Sequence, residues 1–210
     1  MSFAVKVCGI TRPGDARLVS RLGANMVGLI FHRKSPRYIT LKEANVIVAE
    51  LPPLVRRVGV FVDEEPQRII EIARRLRLHY IQLHGHEDSK CIRILQEAGL
   101  QVIRAFGIAN LEDIGPARKT RADLVLLDNR QGEKSGGTGK AFDWKLVKKI
   151  RKEKLVLAGG INTDNVEKAV REVDPIVIDV NSGVESDPGI KSARKVKEFL
   201  KLCNKIRYGN

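Results

Sequence analysis

One plan repeats along this chain: a short β-branched apolar run, a turn carrying Gly or Asp, then a stretch whose apolar residues recur every three or four positions. The runs fall at 4–8, 26–31, 57–62, 80–83, 101–106, 124–128, 155–158 and 176–180. Each is rich in Val, Ile and Leu, the pattern of parallel strands covered on both faces. The amphipathic stretches fall at 13–22, 41–51, 65–76, 88–98, 111–118, 143–151, 163–171 and 192–203. Several begin with recognisable start signals. Pro13 sits in a first turn, Thr40 precedes Glu43 by three residues, and Asn162 or Thr163 precedes the seventh stretch. Eight strand–helix units in 210 residues leave no room for a second domain. The pattern predicts an α/β chain folded as a single (β/α)8, or TIM, barrel with a parallel eight-stranded core, one domain over residues 1–210. An open doubly wound sheet is the competing architecture. It would require a glycine fingerprint after the first strand, and Gly9-Ile10-Thr11-Arg12-Pro13-Gly14 lacks that spacing.

Composition narrows the setting. The chain is 43% apolar and 30% charged, and its apolar runs are too short to span a bilayer. The start, Met1-Ser2-Phe3-Ala4-Val5-Lys6, has no charged segment followed by a long apolar one. Cys8, Cys91 and Cys203 are odd in number and widely scattered, so neither disulfides nor a metal site is expected. This predicts a cytoplasmic chain that meets no membrane. The net charge of +13 raises the question of nucleic acid, but the basic residues are dispersed and only 5% of residues are aromatic. Little is left for base stacking, so no nucleic-acid partner is expected. A basic barrel used as a nucleic-acid scaffold remains the alternative, to be recognised by salt-sensitive binding without catalysis.

In a barrel of this kind chemistry gathers at the carboxyl ends of the strands, and the polar exceptions fall there. Cys8 ends the first strand, the run from His32 to Arg37 follows the second, Asp63 the third, and Gln82 with His84 ends the fourth. Arg104 and Asp128 belong to the fifth and sixth. Cys8 is either a small buried hydrophobe or a thiol placed for chemistry, since its thiolate is the active species. Gly159-Gly160 after the seventh strand and Asp179-Val180-Asn181-Ser182-Gly183 after the eighth supply close backbone approach, a hydroxyl and N–H donors. Loops in these positions predict a phosphate site. Arg37, behind Ser35-Pro36, is either a surface arginine or a clamp for a substrate carboxylate, which a guanidinium grips in a bidentate fork. His84 is either packed in the mouth or functional. The run from Asp128 to Gly139 is longer than an ordinary connection of about two to six residues and reads as a flap. No His, Asp or Glu cluster has metal-ligand spacing.

Taken together, Lys6-Val7-Cys8-Gly9-Ile10-Thr11, Gly28-Leu29-Ile30-Phe31 with Ser35-Pro36-Arg37, Gln82-Leu83-His84-Gly85 and Leu127-Asp128 with Gly136-Gly137-Thr138-Gly139 resemble the phosphoribosylanthranilate isomerase family. Phe142-Asp143-Trp144, Leu157-Ala158-Gly159-Gly160 and Ser182-Gly183-Val184-Glu185 with Pro188-Gly189 and Lys191 extend the resemblance over most of the chain. The resemblance implies an enzyme of tryptophan biosynthesis, acting without cofactor or metal on a small phosphorylated substrate, as a monomer or homodimer. It would convert N-(5-phosphoribosyl)anthranilate to the 1-deoxyribulose 5-phosphate aminoketose by an Amadori rearrangement. It further implies Cys8 as general base and Asp128 as general acid. The substrate-binding set would be Arg37, His84, Gly159, Gly160, Asp179, Asn181, Ser182 and Gly183. Asn181 departs from the family pattern, which usually has Ser there. A base that must ionise and an acid that must keep its proton are expected to have pKa values pushed in opposite senses. The related isomerase of histidine biosynthesis is the nearest enzyme alternative, but its bulkier bis-phosphate substrate requires a second phosphate site.

Overall fold

A computed structural model of the chain describes residues 2–131, 134–135, 144, 147 and 150–209. Its strands are β1 (Ala4–Val7), β2 (Met26–Ile30), β3 (Arg56–Phe61), β4 (Tyr80–Leu83), β5 (Gln101–Ile108), β6 (Leu124–Gln131), β7 (Lys134–Ser135), β8 (Leu155–Leu157), β9 (Val177–Val180), β10 (Glu185–Asp187) and β11 (Ile190–Lys191). Helices α1 (Pro13–Arg21), α2 (Leu41–Ala49), α3 (Pro66–Leu76), α4 (Ser89–Glu97), α5 (Ile114–Lys119), α6 (Val166–Val173) and α7 (Ala193–Tyr208) connect and cover them. Strands β1 to β6, β8 and β9 pair in parallel, and β9 returns to β1 through Ala4↔Val177 and Val7↔Val180. The result is the expected closed eight-stranded parallel barrel.

Alternation along each strand divides the side chains between two environments. On β1, Val5 and Val7 face outward into the large apolar layer under the helices, while Ala4 joins the apolar packing inside the barrel. The lower interior is filled by Met26, Val58, Ile103, Leu126, Val156 and Val177. Nearer the mouth Cys8 packs with Ile30 and Val60. Between these two apolar levels sits Lys6, wholly buried. It is in phase with Ala4 and Cys8, so the strand period itself carries a charge into the interior.

Local signals placed most elements where expected. Pro13 opens α1. The Thr40 hydroxyl accepts from the Glu43 amide at 3.3 Å, and the Glu43 carboxylate accepts from the Thr40 amide at 2.7 Å. This reciprocal box satisfies two otherwise orphaned donors at the start of α2. Helix α6 begins later than the sequence suggests, at Val166 with Asn165 before it. The reason is local competition: Asn162 Oδ1 accepts from the Asp164 amide at 2.8 Å, and Asn165 Oδ1 from the Asn162 amide at 2.9 Å. Those side chains build a turn before helical bonding starts. Strands β5 and β6 run past their expected ends because they keep pairing through Gly107↔Asp128 and Ile108↔Asn129. The β10–β11 hairpin was not expected, although Pro188-Gly189 between its strands is a turn signal. Residues 136–139 of the expected flap lie outside the described residues, as does most of the helix expected over 143–151. Trp144, Val147 and Ile150 from that stretch are described and buried. No helix among the described residues is long and apolar enough to cross a membrane.

Candidate active site

The mouth is built upward from Lys6. Its Nζ lies 2.6 Å from Asp179 Oδ2 and 2.9 Å from Gln82 Oε1, so one side chain ties β1 to β4 and β9. An ammonium held without solvent needs such partners, because burial strongly disfavours an unpaired charge. Burial works to lower the Lys6 pKa, yet Asp179 and Cys8 beside it hold it above its ordinary value. Burial raises Asp179 in turn, against the pull of Lys6. Asp179 Oδ1 has no hydrogen-bond partner.

Cys8 is the next inward position on this strand. It packs so closely on β2 that a Cβ at Gly28 would come within 2.5 Å of its Sγ. Burial pushes the thiol up, while Lys6 and Lys191 pull it down. Asp128 enters from β6; its Oδ1 accepts the Asn129 amide at 2.7 Å, and its Oδ2 lies 3.7 Å from His84 Nε2. Burial raises the Asp128 carboxyl to about 6. His84 Nδ1 is 3.2 Å from Gln82 Nε2, and burial, with help from Lys6, lowers the imidazole to about 4. At neutral pH it is an uncharged ring. Cys8, Asp128, His84 and Asp179 therefore share one enclosure. The expectation that the candidate base and acid shift in opposite senses fails: both are raised, because desolvation dominates both.

Arg37 is anchored rather than loose. Its Nε donates to Glu185 Oε1 at 2.9 Å and its Nη2 to Glu185 Oε2 at 2.6 Å. Glu185 Oε1 also accepts from Lys191 Nζ at 2.8 Å. Although burial acts to raise it, Arg37 and Lys191 hold the Glu185 carboxyl below the usual range. The bidentate edge expected to grip a ligand carboxylate is thus engaged within the protein. The Nη1 side is the part of the fork not engaged by Glu185. The Arg37 stem lies against Gly9, where a Cβ would sit 2.6 Å from Arg37 Cδ; Gly9 has φ +69°, so a side chain there would be strained as well as crowded.

The two glycine-bearing loops meet. Gly159 and Gly160 have φ values of +81° and +71°. A Cβ at Gly159 would overlap the Asn129 amide, and one at Gly183 would overlap the Ile161 carbonyl oxygen. Ser182 and Gly183 form a single 3-10 turn with Val184. Asn181 faces elsewhere: its Oδ1 accepts from Lys191 Nζ at 3.0 Å, which joins it to the β10–β11 hairpin. Two rim candidates also leave the mouth. Arg104 donates to Glu87 at 2.9 Å and to the Gly85 carbonyl at 2.8 Å, and Asp63 accepts from the His86 amide. Both build the connection after β4. Among the described residues, no group of three or more His, Cys, Asp or Glu could hold a metal ion. The sequence reading assigned no role to Lys6, Glu185 or Lys191. For Lys6 a signal existed, a lysine in phase with Ala4 and Cys8 on a strand otherwise apolar.

Residues 5–202 match the family model for N-(5'-phosphoribosyl)anthranilate (PRA) isomerase. The isomerase of that name from Thermotoga petrophila is 47% identical over 199 residues, covering 94% of this chain and 96% of the relative. The crystal structure of phosphoribosyl anthranilate isomerase from Thermotoga maritima superposes with TM-score 0.87 at 41% identity, covering 99% of this chain and 100% of that one. A structure of such an isomerase in complex with reduced 1-(o-carboxyphenylamino)-1-deoxyribulose 5-phosphate gives TM-score 0.84 at 39% identity, with the same coverage.

Proposed function

Since the chain belongs to the N-(5'-phosphoribosyl)anthranilate isomerase family of tryptophan biosynthesis, we propose that it carries out the family's Amadori rearrangement with Cys8 as general base and Asp128 as general acid. Asp128 gives its proton to the furanose ring oxygen as the ring opens to a Schiff base. The Cys8 thiolate then takes the proton from C2, and the resulting enolamine tautomerises to the aminoketose. The observation that carries this reading is the Asp128 carboxyl. It is buried on β6, separated from β1 by β9 and β8, and is raised to about 6. A carboxylic acid that keeps part of its proton near neutral pH can donate it to an oxygen leaving group.

The remaining residues divide the substrate between them. Gly159 and Gly160 with Ser182 and Gly183 form the phosphate end, where backbone N–H groups can approach an anion closely. The Nη1 side of Arg37 meets the anthranilate carboxylate, while Glu185 holds the opposite edge. Neutral His84 packs beside Asp128 and lines the mouth. Asp179 contributes through Lys6, and Asn181 through Lys191.

Cys8→Ser and Asp128→Asn test the assignment. Each is expected to lose most of kcat, by a factor of about 100 or more for a missing general acid or base. Affinity for the reduced product analogue should stay within a fewfold, with the circular dichroism spectrum unchanged. Near-full turnover in either variant overturns the assignment of that residue.

A further inference from the structure

The Lys6 ammonium carries three N–H donors. Two are engaged by Asp179 Oδ2 at 2.6 Å and Gln82 Oε1 at 2.9 Å. Cys8 is the next residue on the same inward face of the strand, close enough for ammonium and thiol to act on each other electrostatically. Resting on the reading of Cys8 as the base, we propose that Lys6 is a positioning residue for the thiol. Its fixed ammonium, aimed by Asp179 and Gln82, stabilises the thiolate that removes the C2 proton.

The placement is difficult to explain by stability alone. The lower interior is filled by apolar side chains such as Met26, Val58, Leu126 and Val156, and backbone pairing already closes β1 against β2 and β9. Replacing a buried ion pair by packed apolar groups is often neutral or stabilising. This pair also leaves Asp179 Oδ1 without a partner inside the barrel, a defect that a purely structural bridge would not need. The other groups around the thiol do not replace Lys6. His84 after β4 is neutral, and Asp179 from β9 opposes thiolate formation. Lys191 from β11 and Arg37 from the β2 loop are both committed to Glu185. Lys6 is the cation directly beside Cys8 on its own strand.

The test is titration of the Cys8 thiol in Lys6→Met and in the charge-neutral double variant Lys6→Met with Asp179→Asn. The double variant strands no buried charge and provides the readout if the single one folds poorly. Thiolate ultraviolet absorbance, taken as the difference from Cys8→Ala, and the pH dependence of iodoacetamide alkylation report the midpoint. In Lys6→Met it should rise by about one pH unit or more, with alkylation at pH 7 about tenfold slower; in the double variant it should rise relative to Asp179→Asn alone, because loss of Asp179 by itself lowers it. The kcat at pH 7 should fall in parallel, with KM within about twofold, the split expected when a transition-state interaction is lost. A merely structural role would lower Tm and leave the midpoint unmoved, and that result overturns the proposal. The two readings separate cleanly. An unmoved midpoint with Cys8→Ala inactive removes the role of Lys6 alone, whereas an active Cys8→Ala removes the assignment of the base.

Discussion

Arg37 presents two edges, and Glu185 occupies one of them. What remains is a rigid guanidinium whose free side is aimed by a carboxylate rather than by solvent, so little side-chain entropy is lost when a ligand binds. Arg37→Ala should weaken binding of a carboxylate-bearing product analogue by about 1.5–3 kcal/mol, the range for charge-assisted hydrogen bonds. Arg37→Lys should recover only part of this, because an ammonium cannot keep Glu185 and the ligand in one plane. Calorimetry with analogues that have and lack the benzoate carboxylate checks the claim, and equal losses for both would refute it. Asp128 makes a separate prediction about stability. Its carboxyl is raised from 3.8 to about 6, so the folded state binds that proton more tightly than the unfolded chain does. Stability from this group is full below pH 3.8 and is withdrawn as pH rises through about 6. The amount is at most about 3 kcal/mol for a shift of this size. Asp128→Asn should therefore be more stable than wild type in denaturant melts at pH 8, with the advantage shrinking towards pH 4.5. The same substitution removes activity, which is the signature of a group kept for chemistry.

At the level of elements, strand ends and loops carry unequal burdens. Gly159 combines a left-handed backbone with a close approach to the Asn129 amide and to Asp128 Oδ1, which a Cβ would meet at 3.0 Å. Gly159→Ala should lower stability by about 1–3 kcal/mol through backbone strain. It should also raise KM and lower kcat together, because the phosphate loop and the acid share that wall. Steady-state kinetics with a urea melt would detect it, and an unchanged KM would exclude the loop from phosphate binding. The α2 capping box is the contrasting case. Thr40→Ala removes reciprocal bonds made only with Glu43, away from the side chains of the site, and should cost about 1 kcal/mol while leaving kcat unaltered. The β10–β11 hairpin joins these elements, since Glu185 and Lys191 on it reach Arg37 and Asn181.

Across the whole molecule, closure of the parallel sheet makes every strand depend on two neighbours. Much of the surface charge is organised locally: Glu167–Arg171 and Arg194–Glu198 are exposed pairs one helical turn apart. Such pairs contribute about 0.3–0.5 kcal/mol each, so stability should respond only weakly to salt. We propose that residues 1–210 fold as one domain. Trp144, the only tryptophan, is buried among the apolar side chains beneath the helices, and its fluorescence reports on the half containing β8. Thermal unfolding followed by this fluorescence and by far-ultraviolet circular dichroism should give coincident transitions. Separate midpoints would show that the halves unfold independently.

The strand and helix order, the barrel class and the gathering of Cys8, Arg37, His84, Asp128 and the two glycine-bearing loops near strand ends were legible in the chain because they depend on local rules. Apolar periodicity, cap residues and turn glycines act over a few positions. The partner of each polar group was not legible. Lys6 and Asp179 meet across 173 positions and Arg37 and Glu185 across 148, through the closure of β9 on β1 and the return of the hairpin over the mouth. The same holds for the protonation states. Cys8 and Asp128 were expected to diverge, yet both are raised because their pKa values are governed by the burial that the closed barrel imposes on both. Periodicity determined which residues face inward; only the tertiary fold decided which charges meet there, because electrostatic partnership follows distance in space and not position in the chain.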